Sequence, residues 1–559
     1  MKNSVINIAK SKKRREAVLF RNMRQRVVSA IDNSLVNTVA RFIRRYVPNL
    51  RARAIGTFMA TFGVYSALIS AFKYVFSFGS TVDEILFSAF VIIVSIPFIL
   101  SESKVSKIFS GSYTGSVISE YIGIRADAIY ESEPVGRANI AFLIGTFCGA
   151  ATLAVSPLHI AVGIIAVICF SVIMVYPEAS VVIAAAVLPF KGELLPLLLG
   201  VGTVSLVVKV FRGKRSISFA FHDKVLVALF VFIFVVVIIG GGANYVVLML
   251  SAFLLSLPKG ADRRTTGATA ALVASCGLAA ALHVGFALCF MIGHKTLSFA
   301  AASAQVGLFD LKELALLCAA VIPLSVSHTV RGTTLSTLTS VLCLASSVGY
   351  LALLGYFHYL AVSAISVMLL IFYYNRRVAY AIFSLVLFAF FAWLWLGGSN
   401  TKAFDAVSDM IVEGGKATLF VPHDSLSELL AGGGVGSGFA VAESMYSAVF
   451  STLGVLGAVL LLCYIVSIIV FTFRYGTNFS QVKESFYITV LAPVFAVVVL
   501  IVCGITHNVF QYDSIYCLMW ILFGAASAMT KEAKYKKESL EIPLEEESLE
   551  NASVVLIRK

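Results

Sequence analysis

Residues 223–241 read DKVLVALFVFIFVVVIIGG, and after Asp223 and Lys224 no polar side chain interrupts the run before the closing glycines. A hydrocarbon layer about 30 Å thick is crossed by roughly 20 apolar residues in an α-helix, the one open structure that satisfies its own backbone polar groups in lipid. The run is therefore expected to be a membrane span. Similar runs recur at 54–76, 84–100, 138–154, 157–175, 177–190, 193–211, 243–257, 268–292, 312–327, 332–355, 357–375, 378–396, 443–473, 485–504 and 513–529. With the first, these make sixteen segments, of which 177–190 and 243–257 are short enough to be re-entrant, so about 12–16 transmembrane helices are expected.

Composition agrees: the 559 residues are 59% hydrophobic and 13% charged, against roughly half and a quarter in soluble domains. The expected class is an all-α polytopic membrane protein. The nine cysteines all lie inside apolar runs without a CxxC pair, and small packing residues explain them better than metal or redox chemistry. No metal and no cofactor are expected.

The net charge of +13 is unevenly spread. Residues 1–53 carry Lys10, Lys12, Lys13, Arg14, Arg15, Arg21, Arg24, Arg26, Arg41, Arg44, Arg45, Arg51 and Arg53 against Glu16 and Asp32. This arm is expected to lie in the cytoplasm against anionic lipid headgroups rather than on nucleic acid, and it does not have the form of a cleavable signal. If the spans then alternate, all 21 arginines fall on the cytoplasmic side, including Arg212, Arg215, Arg263, Arg264, Arg376, Arg377 and Arg474. Both termini are expected inside. The domain division is a basic arm 1–53, a transmembrane domain 54–529, and a tail 530–559 that reads from Lys531 onward as a solvated end.

One long connection, 397–442, falls on the outer side and holds Lys416, His423 and Asp424. Connections beyond about 12–15 residues are usually functional or disordered. It ends in GVGSGF (434–439), where Gly434, Gly436 and Gly438 leave the backbone free to approach a ligand or simply to turn. Glu443, Ser444, Met445 and Tyr446 follow, then Leu453, Gly454, Val455, Leu456 and Gly457. The last outer turn carries His507 and Asn508 within GITHNVFQYDSIYCLMWILFGAASA (504–528), and an earlier piece reads VYPEASVVIAAAVLPF (175–190), followed by Lys191.

This order of motifs resembles the O-antigen ligase and Wzy-type polysaccharide polymerase family, most closely its Gram-positive branch. The resemblance covers 175–190 and 397–528; the remainder matches only in hydropathy. It implies a GT-C-like helical membrane fold in a bacterial cytoplasmic membrane and a glycan transferase. Its partner would be an undecaprenyl-diphosphate-linked glycan at the outer leaflet, with other polysaccharide assembly proteins nearby. Glu443 and His507 stand as catalytic residues. Lys191, Lys416, His423, Asp424, Gly434, Gly436, Gly438, Ser444, Tyr446 and Asn508 stand as substrate-binding residues. The chain departs from the family in lacking outer arginines for the diphosphate and in carrying Glu443 where ligases have histidine. A transporter or flippase of the same lipid-linked cargo is the competing reading, weakened by the lack of a convincing internal repeat.

Overall fold

A computed structural model describes residues 49–76, 81–104, 137–190, 192–259, 262–294, 298–307, 309–331, 334–395, 426–433, 444–476, 484–505 and 507–541, with isolated positions before 49 and at 107 and 112. Among these the backbone is helical almost throughout and forms no strand. Ten helices are long and apolar enough to cross a membrane, and four shorter apolar ones accompany them. The chain is thus a multi-pass helical membrane protein. The basic arm and most of the long connection and acidic tail lie outside the described residues.

The chain divides into two compact units, Met1–Ala179 with Val204–Arg215, and Ser180–Thr203 with Ser216–Lys559. In the first, α1 (Ala52–Val75) packs against α2 (Val82–Leu100) and α3 (Ala138–Ala150), and α4 (Pro157–Val175) follows. Buried polar groups are paired across this packing, as Ser66 donates to Ser88 at 2.9 Å. Large apolar side chains such as Leu143, Phe147 and Ile165 stay exposed on the outside, as lipid-facing surfaces require.

The segment 177–190, read as short enough to be re-entrant, forms α5 (Ala179–Val187), a helix of nine residues. Prolines set its limits. Pro177 and Pro189 have no N–H, so the carbonyls four residues earlier, Ile173 and Ala185, lose their helical donors. Ser205 of α6 (Leu195–Phe211) donates to Ile173 O at 3.0 Å. Ser275 donates to Ala185 O at 2.8 Å. Glu178, wholly buried, is paired with Arg215 at 3.1 Å.

The second unit contains α7 (Phe221–Gly240), α8 (Ala243–Ser256), α9 (Asp262–His294), α10 (Phe299–Val306), α11 (Leu311–Arg331), α12 (Thr334–Leu353), α13 (Phe357–Tyr374), α14 (Arg376–Trp395), α15 (Leu426–Ala431), α16 (Met445–Gly476), α17 (Glu484–Cys503) and α18 (Asp513–Glu541). At its centre lie α18 and α11, with 94% and 78% of their spanning windows buried. Around α18 pack α8, α9, α11, α16 and α17. The proline rule recurs here: Pro323 interrupts α11, and Ser363 of α13 donates to the released Ala319 O at 2.9 Å. His283, in the middle of α9, is buried and bonded to Ser303 of α10 at 2.6 Å.

One expectation fails at the far end of α18. Lys531, read as the start of a solvated tail, is buried, with its ammonium 2.5 Å from Asp223 of α7. It also donates to Ser256 O at 2.8 Å and Ser218 O at 3.2 Å. Beside it His222 shares a 2.6 Å hydrogen bond with Ser527. An ammonium has three N–H donors, and here each has an acceptor, so α18 continues past the apolar run because its lysine belongs to the core.

Candidate functional site

The opposite end of the second unit gathers the beginnings of α11, α13, α16 and α18 with the end of α17. The chain enters α16 through Ser444, whose hydroxyl accepts from Ser447 N at 3.2 Å while the Ser447 hydroxyl donates back to Ser444 O at 2.9 Å. This is the reciprocal capping expected of serines at a helix start. Met445 N then donates to Gly504 O at 2.9 Å and to His507 O at 3.2 Å. Tyr446 donates its hydroxyl to Ile501 O at 3.1 Å. Two stretches some sixty residues apart in sequence are thereby bonded backbone to backbone.

Gly454, expected within a continuous helix, breaks it. Its φ of 62° and ψ of −170° are non-helical and interrupt α16 nine residues after Met445. Gly432, just past α15, has φ of 78°. A Cβ on Gly454 would lie 2.6 Å from Gly432 N, and one on Gly432 would lie 2.2 Å from Thr452 O. Gly433 N donates to Ser451 O at 2.8 Å. Gly432 and Gly433 of the long connection are seated on the break, where a side chain at Gly432 or Gly454 would push the two backbones apart and where the φ suits glycine alone.

His507 lies in the turn after α17. Its ring is 6.0 Å from that of His358, nearly parallel at 12°, and 5.7 Å from that of Tyr359. Tyr356 stacks on Tyr359 at 5.5 Å. The Tyr359 hydroxyl is fully buried and takes no hydrogen bond among the described residues, and neither does Nε2 of His358. Asn508 is buried, and its Oδ1 accepts from Phe510 N at 3.1 Å, capping the single turn Val509–Gln511. That bond gives Asn508 a structural task besides any contact with substrate.

Next to this cluster opens a cavity of about 170 Å³, lined by Leu188, Pro189, Phe190, Gly192, Phe309, Asp310, Glu313, Leu314 and Leu317. Phe190 and Phe309 meet edge to face at 5.8 Å. Asp310 caps α11, its Oδ1 accepting from Lys312 N at 2.9 Å and Glu313 N at 3.0 Å. Glu313 accepts a hydrogen bond from Ser514 at the start of α18. Burial, and then the neighbouring Asp310, push the Tyr356 hydroxyl above its usual pKa. The same causes raise Tyr512, to which Glu313 and Tyr356 add. The tyrosine hydroxyls therefore stay protonated donors beside the carboxylates.

Four of the residues expected to form the site, Ser444, Tyr446, His507 and Asn508, are brought together here. Glu443, Lys191, Lys416, His423, Asp424, Gly434, Gly436 and Gly438 lie outside the described residues. Asp310, Glu313, His358, Tyr359 and Tyr512 were not singled out by the sequence, since acids and aromatics at the ends of apolar runs are common and only folding makes them neighbours. Among the described residues no group of three His, Cys, Asp or Glu side chains is placed to hold a metal ion. No family model matches this chain, and no curated protein matches it.

Proposed function

We propose that the protein is a membrane glycan transferase or polymerase of GT-C-like architecture, acting on undecaprenyl-diphosphate-linked saccharides at the outer leaflet of a bacterial cytoplasmic membrane. The observation that carries the reading is the seating of Ser444–Ser447 on Gly504 and His507, together with the docking of Gly432 and Gly433 on the break at Gly454. What supports it is that Ser444 and Tyr446 lie against the turn holding His507 and Asn508, near a polar cavity.

In the reaction an acceptor hydroxyl oxygen bonds to the anomeric carbon as the bond from that carbon to the diphosphate oxygen breaks. The hydroxyl proton passes to a base, and the lipid diphosphate leaves. His507, beside His358, is the described group suited to take that proton, since a neutral imidazole has a ring nitrogen free to accept one. Glu443 is the second choice by its position in sequence, and Lys191 and Lys416 are the cations assigned to the diphosphate.

A second reading, export or flipping of the same lipid-linked cargo, draws on the broken helix α16 and the buried Asp223–Lys531 pair, both features of transporters. The two are separated in cells lacking the protein and complemented with wild type, His507→Ala or Glu443→Gln. A transferase predicts loss of long polymer and accumulation of single lipid-linked units facing outward, with the variants failing to restore length. Units trapped on the inner leaflet would instead establish transport and end the transferase reading.

A further inference from the structure

Resting on the glycan-transferase reading, we infer that the cavity beside Asp310 and Glu313 is a subsite for one sugar ring carrying a free amine, and that it discriminates against uronic acids. Three observations lead there. The first is size: about 170 Å³ is far more than the roughly 10–15 Å³ that one water needs, and gives room for a sugar ring. The second is the wall, in which Phe190 and Phe309 supply apolar surface for the C–H face of a ring while the carboxylates supply the polar side. Small-molecule sites generally combine aromatic lining with a few placed polar groups in this way.

The third is the unused bonding capacity of the two acids. Asp310 spends Oδ1 on the two N–H groups at the start of α11, and Glu313 spends Oε1 on Ser514. Oδ2 of Asp310 and Oε2 of Glu313 take no hydrogen bond among the described residues. Two carboxyl groups, each with an oxygen to spare on one cavity, suit vicinal hydroxyls, and they suit an ammonium better, because charge-assisted hydrogen bonds are about twice as strong as neutral ones; Glu313 is partly removed from water, which makes a cation beside it the more favourable neighbour. A carboxylate on the sugar would face like charge and is rejected for the same reason.

The full chain in nanodiscs, at neutral pH, would be titrated by saturation-transfer NMR with methyl glucosaminide, methyl glucoside, methyl glucuronide and ethanolamine. Expected is about a tenfold tighter binding of the glucosaminide than of the glucoside, with the glucuronide weakest. Asp310→Asn and Glu313→Gln, which keep the helix cap and the acceptor for Ser514, should each shrink that preference, and together abolish it. The inference is overturned if the glucuronide binds as well as the glucosaminide, or if the double variant keeps the preference. It is equally overturned if ethanolamine competes as well as the amino sugar, which would mark a lipid headgroup site with no ring recognition. Because binding is read without polymerisation, these results stand apart from the complementation outcome. Selective binding without any effect on polymer length would retain the subsite and remove the transferase.

Discussion

Replacing Lys531 by Met tests whether α18 is anchored by its buried charge. The ammonium lies 2.5 Å from Asp223 and donates to the carbonyls of Ser256 and Ser218 at 2.8 and 3.2 Å. Methionine keeps the length of the stem and its packing but removes all three donors. Asp223 would retain the 2.6 Å bond from Ala220 N and the His222 ring 3.5 Å away, while its side chain has no solvent exposure. Breaking a buried pair from one side costs about 3–5 kcal/mol because the remaining charge is uncompensated. Asp223→Asn should cost a comparable amount by stranding the lysine. The double variant Asp223→Asn, Lys531→Met leaves no unpaired charge, so its cost should fall short of the sum of the singles by at least about 2 kcal/mol. Reversible unfolding in mixed micelles measures all three. A Lys531→Met protein within about 0.5 kcal/mol of wild type, or single effects that simply add, would refute the anchoring argument.

Other perturbations follow from equally local geometry. Gly454→Ala and Gly432→Ala should each destabilise by about 1–3 kcal/mol, since each adds a Cβ at positive φ and within 2.6 Å of facing backbone; proteolysis of the long connection should rise in both, and unchanged protection would count against the docking. Ser205→Ala, Ser275→Ala and Ser363→Ala each remove the donor to a proline-released carbonyl and should cost about 1–3 kcal/mol, whereas exposed Ser384→Ala, whose hydroxyl only bonds its own helix, should be near neutral by the same unfolding assay. Tyr356 and Tyr512 hold their protons more tightly in the folded state. Their contribution is intact below about pH 10, the unfolded value, and fades as pH rises through the folded values, so Tyr512→Phe should flatten the alkaline fall in melting temperature. A wild-type slope in that variant would contradict the placement of Tyr512 beside the acids.

Much of the architecture is legible in hydropathy. Runs such as 223–241 and 157–175 form the helices their length demands, because a residue in lipid has no other way to satisfy its backbone. The exceptions have identifiable chemistry. Segment 177–190 is cut to nine residues by prolines whose released carbonyls find serines on other helices. Gly454 breaks α16 where Gly432, from the long connection, packs so closely that neither has room for a Cβ. Hydropathy windows average over both effects.

What the amino-acid order determined alone is the material of the spans, the charge asymmetry and the series of motifs near the C-terminal end, since these depend on local runs and local transfer energies. The tertiary structure alone decided which polar residues share a place. His358 meets His507 and Glu313 meets Ser514 across about 150 and 200 positions of chain, contacts that no local pattern encodes. Lys531 reads as solvent-exposed by every local measure, and becomes core because Asp223, the carbonyl at the end of α8 and the Ser218 carbonyl before α7 converge on it.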